Sequence, residues 1–135
     1  MTTLHKLQFS EINFYPEYDL IEHKWYPNSS EMSEDEFKKE MLVLADVFKQ
    51  KKPKRVFVNH ADFEFIVVPQ VQKWVDEHVN WLLVQAGTQK VAFLVSPDIF
   101  TRLSVEQTLS EVRSQNLQTK FFEDYQKAMD WLLEE

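Results

Sequence analysis

The feature that most constrains the fold of this chain is its alternation between two kinds of segment. Val56–Val58 and Val91–Val95 are short, apolar runs with the length and composition of buried strands. The stretches around them repeat apolar residues at every third or fourth position, as amphipathic helices do. Strands that alternate with helices predict an α/β domain in which crossover helices cover a largely parallel sheet.

The N-terminal part departs from this alternation and is predicted to be a β-hairpin. Leu7–Phe14 and Tyr18–Tyr26 have the composition of strands, and Pro16 and Glu17 between them favour a tight connection. The period of two along the second strand sorts its side chains onto two faces, of which one carries Asp19, Ile21, His23 and Trp25. The hairpin adds antiparallel pairing at one side, so the predicted sheet is mixed.

Local patterns predict where the first two helices begin and end. Ser33 and Glu36 have the spacing of a capping box, so the first helix is expected to begin there and to end before Pro53. Pro69 suits the first turn of the second helix. Gly87 suits the left-handed residue that ends a helix.

The C-terminal part continues the alternation. Ser104 and Gln107 have capping-box spacing within a predicted helical stretch, and Lys120–Phe122 follows as a short strand. Asp124 is predicted to cap a final helix. The expected order is therefore ββαβαβαβα, in one domain that spans residues 1–135.

Composition excludes several classes of site. Gly87 is the only glycine, whereas loops that cradle phosphate need several, so neither a Walker loop nor a dinucleotide fingerprint is present. The chain has no cysteine, which excludes disulfides, zinc–thiolate sites and a cysteine nucleophile. No cofactor is expected.

Charge and hydropathy bear on partners and compartment. The net charge of −7 repels a phosphate backbone, so no nucleic-acid partner is expected. No run approaches the roughly 18 apolar residues of a membrane span, and no apolar stretch follows a basic N-terminus. We therefore expect a protein without a membrane span and with a cytoplasmic location.

Two features of this chain resemble the STAS domain. One is the element order, and the other is the segment Phe121–Leu132, a predicted strand followed directly by a helix. STAS domains include the bacterial anti-sigma-factor antagonists, and a distantly related group is described as SpoIIAA-like or STAS/SEC14-like. The resemblance covers most of the chain and implies a SpoIIAA-like fold. It implies a non-enzymatic regulatory module that binds a protein partner or forms a homodimer. The SEC14-like side of the resemblance implies instead a domain that binds a small molecule or a lipid.

One departure from the family pattern bears on regulation. An anti-sigma-factor antagonist carries a phosphorylatable hydroxyl, within a motif that includes glycine, where its central strand passes into the next helix. The corresponding segment here, Phe65–Gln70, contains neither a hydroxyl nor a glycine. A phosphorylation switch at this position is therefore not implied by the resemblance.

The connection from Phe63 to Val68 is unusually apolar for a loop, since loops mostly lie at the surface. Two interpretations stand side by side: an exposed patch that binds a partner, or side chains that cover the end of the core beneath the next helix. Trp81 lies off the apolar stripe of its helix and is a further candidate for a binding surface. The candidate partner-binding residues are Phe63, Phe65, Ile66, Val67 and Trp81.

Polar residues directly after the central strand give a third hypothesis. His60, Asp62 and Glu64 alternate, so in an extended segment all three would point the same way and could hold a metal or act as base and orienter in a hydrolase-like enzyme. If the chain turns there, the three side chains scatter and are merely solvated. His23 and His78 have no partner at metal-ligand spacing and are interpreted as structural or exposed.

Overall fold

The computed structural model describes residues 1–99 and 117–134, and its centre is one six-stranded sheet. The strands lie side by side in chain order: β1 (Thr2–Lys6), β2 (Ser10–Tyr15), β3 (Leu20–Trp25), β4 (Arg55–Asn59), β5 (Lys90–Leu94) and β6 (Gln118–Phe122). The pairs β1–β2 and β2–β3 are antiparallel, and the three pairs from β3 to β6 are parallel. The predicted α/β class with a mixed sheet is confirmed.

The helices cover both faces of this sheet. They include α1 (Glu34–Lys51), α2 (Pro69–Val75), a π-helical turn (Asp76–Asn80), α3 (Trp81–Ala86) and α4 (Tyr125–Leu133), with short 3₁₀ turns at Pro16–Tyr18 and Pro27–Glu31. The predicted helix from Pro69 to Gly87 is thus present without a break, but its middle turn, Asp76–Asn80, is π-helical. Within the described residues, no helix is both long enough and apolar enough to cross a membrane.

The N-terminal strand differs from its prediction over Leu7–Phe14. The Leu7 amide donates to the Ser10 carbonyl oxygen (2.8 Å), which makes a turn, and β2 begins only at Ser10. An additional strand, β1, precedes it and pairs with β2. This edge strand has mostly exposed side chains, so it lacks the apolar alternation from which a strand could be predicted.

Most of the predicted caps are present. The Ser33 hydroxyl accepts from the Glu36 amide, and the Glu36 carboxylate accepts from the Ser33 amide. The Asp124 carboxylate accepts from the backbone of the first turn of α4, and Gly87 ends α3 with φ of 80°. The predicted capping box at Ser104 and Gln107 lies outside the described residues.

Two apolar clusters lie on opposite faces of the sheet. The larger one packs β2–β5 against α1, α2 and α3, and the smaller one packs β3–β6 against α4. The predicted alternation in β3 is confirmed, since Ile21 and Trp25 belong to the larger cluster and Leu20 belongs to the smaller one. The larger cluster positions the candidate site.

Candidate functional site

A mostly apolar cavity of about 110 Å³ lies between the sheet and the helices α1, α2 and α3. Its floor is formed by side chains of the parallel strands β4 and β5, and one wall by aromatic and aliphatic side chains of α1. Open α/β sheets bind ligands at the carboxyl ends of their parallel strands, and the cavity extends to the residues at that end of β4. The floor and the α1 wall comprise Val56, Val58, Val91, Phe93, Phe37, Met41, Leu44 and Phe48.

Two histidines bring polar atoms into this apolar lining. His23 comes from β3, where its position in the inward register between Ile21 and Trp25 leaves it 1% exposed. His60 follows β4, where its amide donates to the Leu94 carbonyl oxygen (2.8 Å) and so extends the β4–β5 ladder by one bond. Both rings line the cavity.

His23 is oriented by a buried hydrogen-bond chain that joins the sheet to α1. The Ser10 hydroxyl donates to Oε1 of Glu40 (2.6 Å), and the Phe9 amide donates to Oε2 of the same carboxylate (2.9 Å). Because the single hydroxyl proton of Ser10 is used in this way, the Nε2–H of His23 donates to the Ser10 oxygen (3.0 Å). Nδ1 of His23 is then an unprotonated acceptor.

Both histidines are neutral over the physiological range. Burial, with a smaller contribution from the nearby His60, lowers the pKa of His23 to about 3. Burial lowers the pKa of His60 to about 4. Desolvation has this direction for histidine because it disfavours the charged imidazolium. The cavity therefore presents neutral imidazole rings at pH 7.

The His60 ring is held by aromatic contacts. It stacks on Phe63 with a centroid distance of 4.5 Å and meets Phe93 edge to face at 5.5 Å. Within the described residues, the two ring nitrogens of His60 have no hydrogen-bond partner, and Nδ1 of His23 has none either. These three nitrogens can therefore bond to a ligand.

The connection from Phe63 to Val68 alternates between core and surface. Phe63, Phe65 and Val67 are half-buried and pack against the larger apolar cluster, and Phe65 stacks on Phe37 of α1 at 4.8 Å. Ile66 is 81% exposed, and Val68 is also exposed. The two interpretations of this segment thus apply to different residues: Phe63, Phe65 and Val67 pack on the core, whereas Ile66 and Val68 are exposed. Partner binding by this segment stays a prediction.

The backbone of this connection is fixed by a buried serine. The Ser29 hydroxyl, in the turn after β3, donates to the Asp62 carbonyl oxygen (3.3 Å) and accepts from the Glu64 amide (3.1 Å). The chain therefore turns between His60 and Phe63, and the Phe63 amide donates to the His60 carbonyl oxygen. This turn brings Phe63 over the cavity.

The structure does not assemble the predicted triad of His60, Asp62 and Glu64. The two acidic residues are exposed, whereas His60 lies against the cavity. Residues 1–99 and 117–134 contain no cluster of three histidine or acidic residues that could hold a metal ion. The turn at Asp62 scatters the alternation on which the hydrolase-like hypothesis depended.

The remaining polar lining residues are Gln72 of α2 and Asn80 of the π-helical turn. Gln72 and Asn80 both donate a side-chain N–H to Oδ1 of Asp76, at 3.1 Å and 2.8 Å. Single π-helical turns are frequent at functional sites, and this one lies beside the cavity. Trp81 follows it and is 54% exposed, as its place off the apolar stripe predicted.

Sequence reasoning did not identify the central polar group of this site. His23 was interpreted as structural or exposed, and Ser10 and Glu40 were not singled out. The predicted inward register of β3 places His23 among apolar side chains, and a polar residue in such a register needs a buried partner. That pattern could have indicated the network but not its members, because Glu40 is 30 residues from Ser10.

Comparisons with protein-family models, curated proteins and solved structures find no match to this chain.

Proposed function

We propose that this protein binds a small, largely apolar molecule in the cavity between its sheet and the helices α1, α2 and α3. The observation that carries the proposal is the cavity itself: its lining is aromatic and aliphatic, with four polar residues and no charged one. Ligand sites in proteins have this composition, with few polar groups that fix orientation.

The volume favours a ligand of single-ring size. A cavity of roughly 150 Å³ lined by aliphatic and aromatic side chains accommodates benzene, and the volume here is about 110 Å³. Sites for larger ligands occupy roughly 300–1,000 Å³. Within the SEC14-like alternative, this supports a small molecule over a lipid.

A ligand of this size is expected to bind with modest affinity. A dissociation constant on the order of 1 mM corresponds to about −4.1 kcal/mol. Spread over the roughly seven heavy atoms of a substituted ring, this is about 0.6 kcal/mol per atom, well below the ceiling of roughly 1.5 for very small ligands. Toluene in the millimolar range is therefore a suitable probe.

The test is a titration with toluene followed by methyl NMR shifts. We expect saturable shifts at Met41 and Leu44, and their loss in Val79→Phe, whose ring would occupy the cavity. Leu42→Phe, on the exposed side of α1, is the matched control and should bind as the wild type does. Circular dichroism establishes that the variants are folded. Absence of saturable shifts in the wild type, or unchanged binding by a folded Val79→Phe variant, would contradict the proposal.

We propose a binding function in preference to a hydrolytic one. General acid–base catalysis by His60 would need a group that orients the ring, and the Asp62 and Glu64 side chains are exposed and form no hydrogen bond to it. The buried carboxylate of Glu40 reaches His23 only through Ser10. Absence of esterase activity toward small aryl esters, in the wild type and His60→Phe alike, is the expected result.

A second candidate function is docking of a protein partner or a second copy, as the STAS-like resemblance implies. Its specific support is the exposure of Ile66 and Trp81, two large apolar side chains that docking would remove from water. The succession of parallel strands from β3 to β6 and the closing helix support the SpoIIAA-like assignment.

Light scattering after size-exclusion chromatography tests the homodimer form of this candidate. A dimer that Ile66→Asp or Trp81→Ser converts to a monomer would support it. A wild type that remains monomeric at high concentration would oppose it.

A further inference from the structure

We infer that the ligand of this cavity is a neutral phenol, whose hydroxyl hydrogen-bonds to the imidazole rings of His23 and His60. This inference rests on the proposed function and names the chemical class that the same site selects. It is carried by three observations: the fixed tautomer of His23, the unpartnered nitrogens of His60, and the uncharged aromatic lining.

The acceptor nitrogen that His23 offers is fixed before any ligand binds. The chain from Glu40 through Ser10 fixes the proton of His23 on Nε2, as derived above, and leaves Nδ1 as an acceptor. The ring is 1% exposed and lines the cavity. Among the described residues, every fully buried polar side-chain atom has a hydrogen-bond partner. Because Nδ1 of His23 has none, it is not fully buried and borders open space. For a side chain so deeply placed, that space is the cavity.

His60 supplies the complementary groups. A neutral imidazole has one N–H donor and one acceptor nitrogen, and within the described part of the chain neither nitrogen of His60 is engaged. Stacking on Phe63 and edge contact with Phe93 hold the plane of the ring. Together the two histidines can accept one hydrogen bond and donate another, which is the complement of a hydroxyl group.

The lining argues against charged ligands. The cavity has no lysine, arginine, aspartate or glutamate side chain in its wall, and burial of an unpaired charge is strongly unfavourable. The low pKa values of both histidines remove an imidazolium partner for a carboxylate at pH 7. A neutral hydroxyl is therefore favoured over a carboxylate or an ammonium group.

The shape of the lining favours an aromatic body for the ligand. Rings of Trp25, Phe37, Phe63 and Phe93 contribute to the wall, and aromatic rings pack well against one another in offset or edge-to-face arrangements. A volume of about 110 Å³, near the roughly 150 Å³ of a cavity that holds one benzene, is too small for two rings. These features together define a monocyclic phenol.

Phenol and toluene form a matched pair for the test, because they differ only in a hydroxyl that replaces a methyl group. A purely apolar cavity would bind toluene more tightly, since the phenol hydroxyl would lose its hydrogen bonds to water. We expect the wild type to bind phenol at least as tightly as toluene. The measurement is the ratio of the two dissociation constants by NMR titration at pH 7.

His60→Phe identifies the source of this preference. The variant keeps an aromatic ring against Phe63 and Phe93 and removes both ring nitrogens. We expect the phenol-to-toluene preference to shift about tenfold toward toluene, the factor that one lost hydrogen bond of about 1.4 kcal/mol produces. His78→Phe is the matched control: His78 is exposed and outside the cavity lining, so the ratio should remain that of the wild type.

A measurement on the unmutated protein gives the result if His60→Phe does not fold. Imidazole ¹⁵N shifts should show His23 protonated at Nε2, and phenol, but not toluene, should shift the unprotonated nitrogens. Toluene binding without phenol binding, or a ratio unaffected by His60→Phe, would overturn this inference while the proposed apolar site stands. Failure of both probes to bind would overturn the proposed function as well.

Discussion

Glu40 is the residue on which the orientation of the His23 ring depends most. It is buried in α1 and accepts hydrogen bonds from the Ser10 hydroxyl and the Phe9 amide, and so ties the helix to the start of β2. A carboxylate that is removed from water remains favourable only while such donors satisfy it. Its loss would leave two buried donors without partners.

We predict that Glu40→Leu lowers the free energy of unfolding by about 2 to 3 kcal/mol, because hydrogen bonds to charged groups contribute roughly 1.5 to 3 kcal/mol. Urea denaturation measures this difference. Asp46→Leu, an exposed acidic position of the same helix, is the control and should change stability by less than about 0.5 kcal/mol. Equal effects of the two substitutions would show that the buried network contributes nothing specific.

The two histidines predict a pH dependence of stability with a definite sign. Their pKa values in the fold, about 3 for His23 and about 4 for His60, lie below the value of about 6.5 in an unfolded chain. Between these values the unfolded state binds more protons, so stability is fully present above about pH 6.5 and is lost as the pH falls. At pH 5 the loss is on the order of 2 kcal/mol for each histidine, from 1.5 pH units at about 1.36 kcal/mol per unit.

His60→Phe separates this effect from the titration of carboxylates that both proteins share. In urea denaturation at each pH, we expect the variant to lose about 2 kcal/mol less stability than the wild type between pH 7.5 and pH 5. Identical pH profiles would mean that His60 is protonated in the folded protein at pH 5.

At the scale of elements, α4 is held to the sheet by its carboxyl end. Nζ of Lys90 donates to the carbonyl oxygens of Trp131 (2.7 Å) and Glu134 (2.8 Å), and Nε of Arg55 donates to that of Leu132 (2.7 Å). The last carbonyl groups of a helix have no partner within the helix and carry partial negative charge. Two cations from the first residues of β4 and β5 thus satisfy them.

We predict that Lys90→Met frays the last turn of α4 and lowers stability by about 1 to 2 kcal/mol, the range for hydrogen bonds from a charged donor after allowance for partial exposure. Hydrogen exchange should accelerate at residues 130–134. Lys127→Met on the exposed side of the same helix should leave exchange unchanged. Unchanged exchange in Lys90→Met would contradict the anchoring role.

The sequence predicted those elements whose determinants are local. Ser33 with Glu36, Asp124 and Gly87 act within one helical turn, so their roles could be predicted from spacing alone. The strand β1 could not be predicted, because an exposed edge strand lacks apolar alternation. The π-helical turn at Asp76–Asn80 likewise has no local sequence pattern that we recognised.

The candidate site was predicted only in its position beyond the central strand, where His60 lies. Its polar centre depends on a contact between Ser10 and Glu40, on different elements, and such pairings are set by the packing of a helix on a sheet. The orientation of Phe63 and Phe65 toward the core likewise depends on Ser29, more than 30 positions earlier along the chain.

On the scale of the whole molecule, the two faces of the sheet differ in kind. The α4 face carries a smaller apolar cluster, whereas the opposite face carries the larger cluster and the cavity within it. Close packing is the rule in protein interiors, so a cavity of this volume in the larger cluster requires an explanation. A binding site with a preformed acceptor is the explanation that we propose.

A crystal structure of the protein under xenon pressure tests this account most directly, because dry apolar cavities bind xenon. The account predicts a xenon atom between Leu44, Val56 and Val91, with the Glu40–Ser10–His23 chain intact. A structure in which side chains fill this space and no xenon is bound there would contradict it.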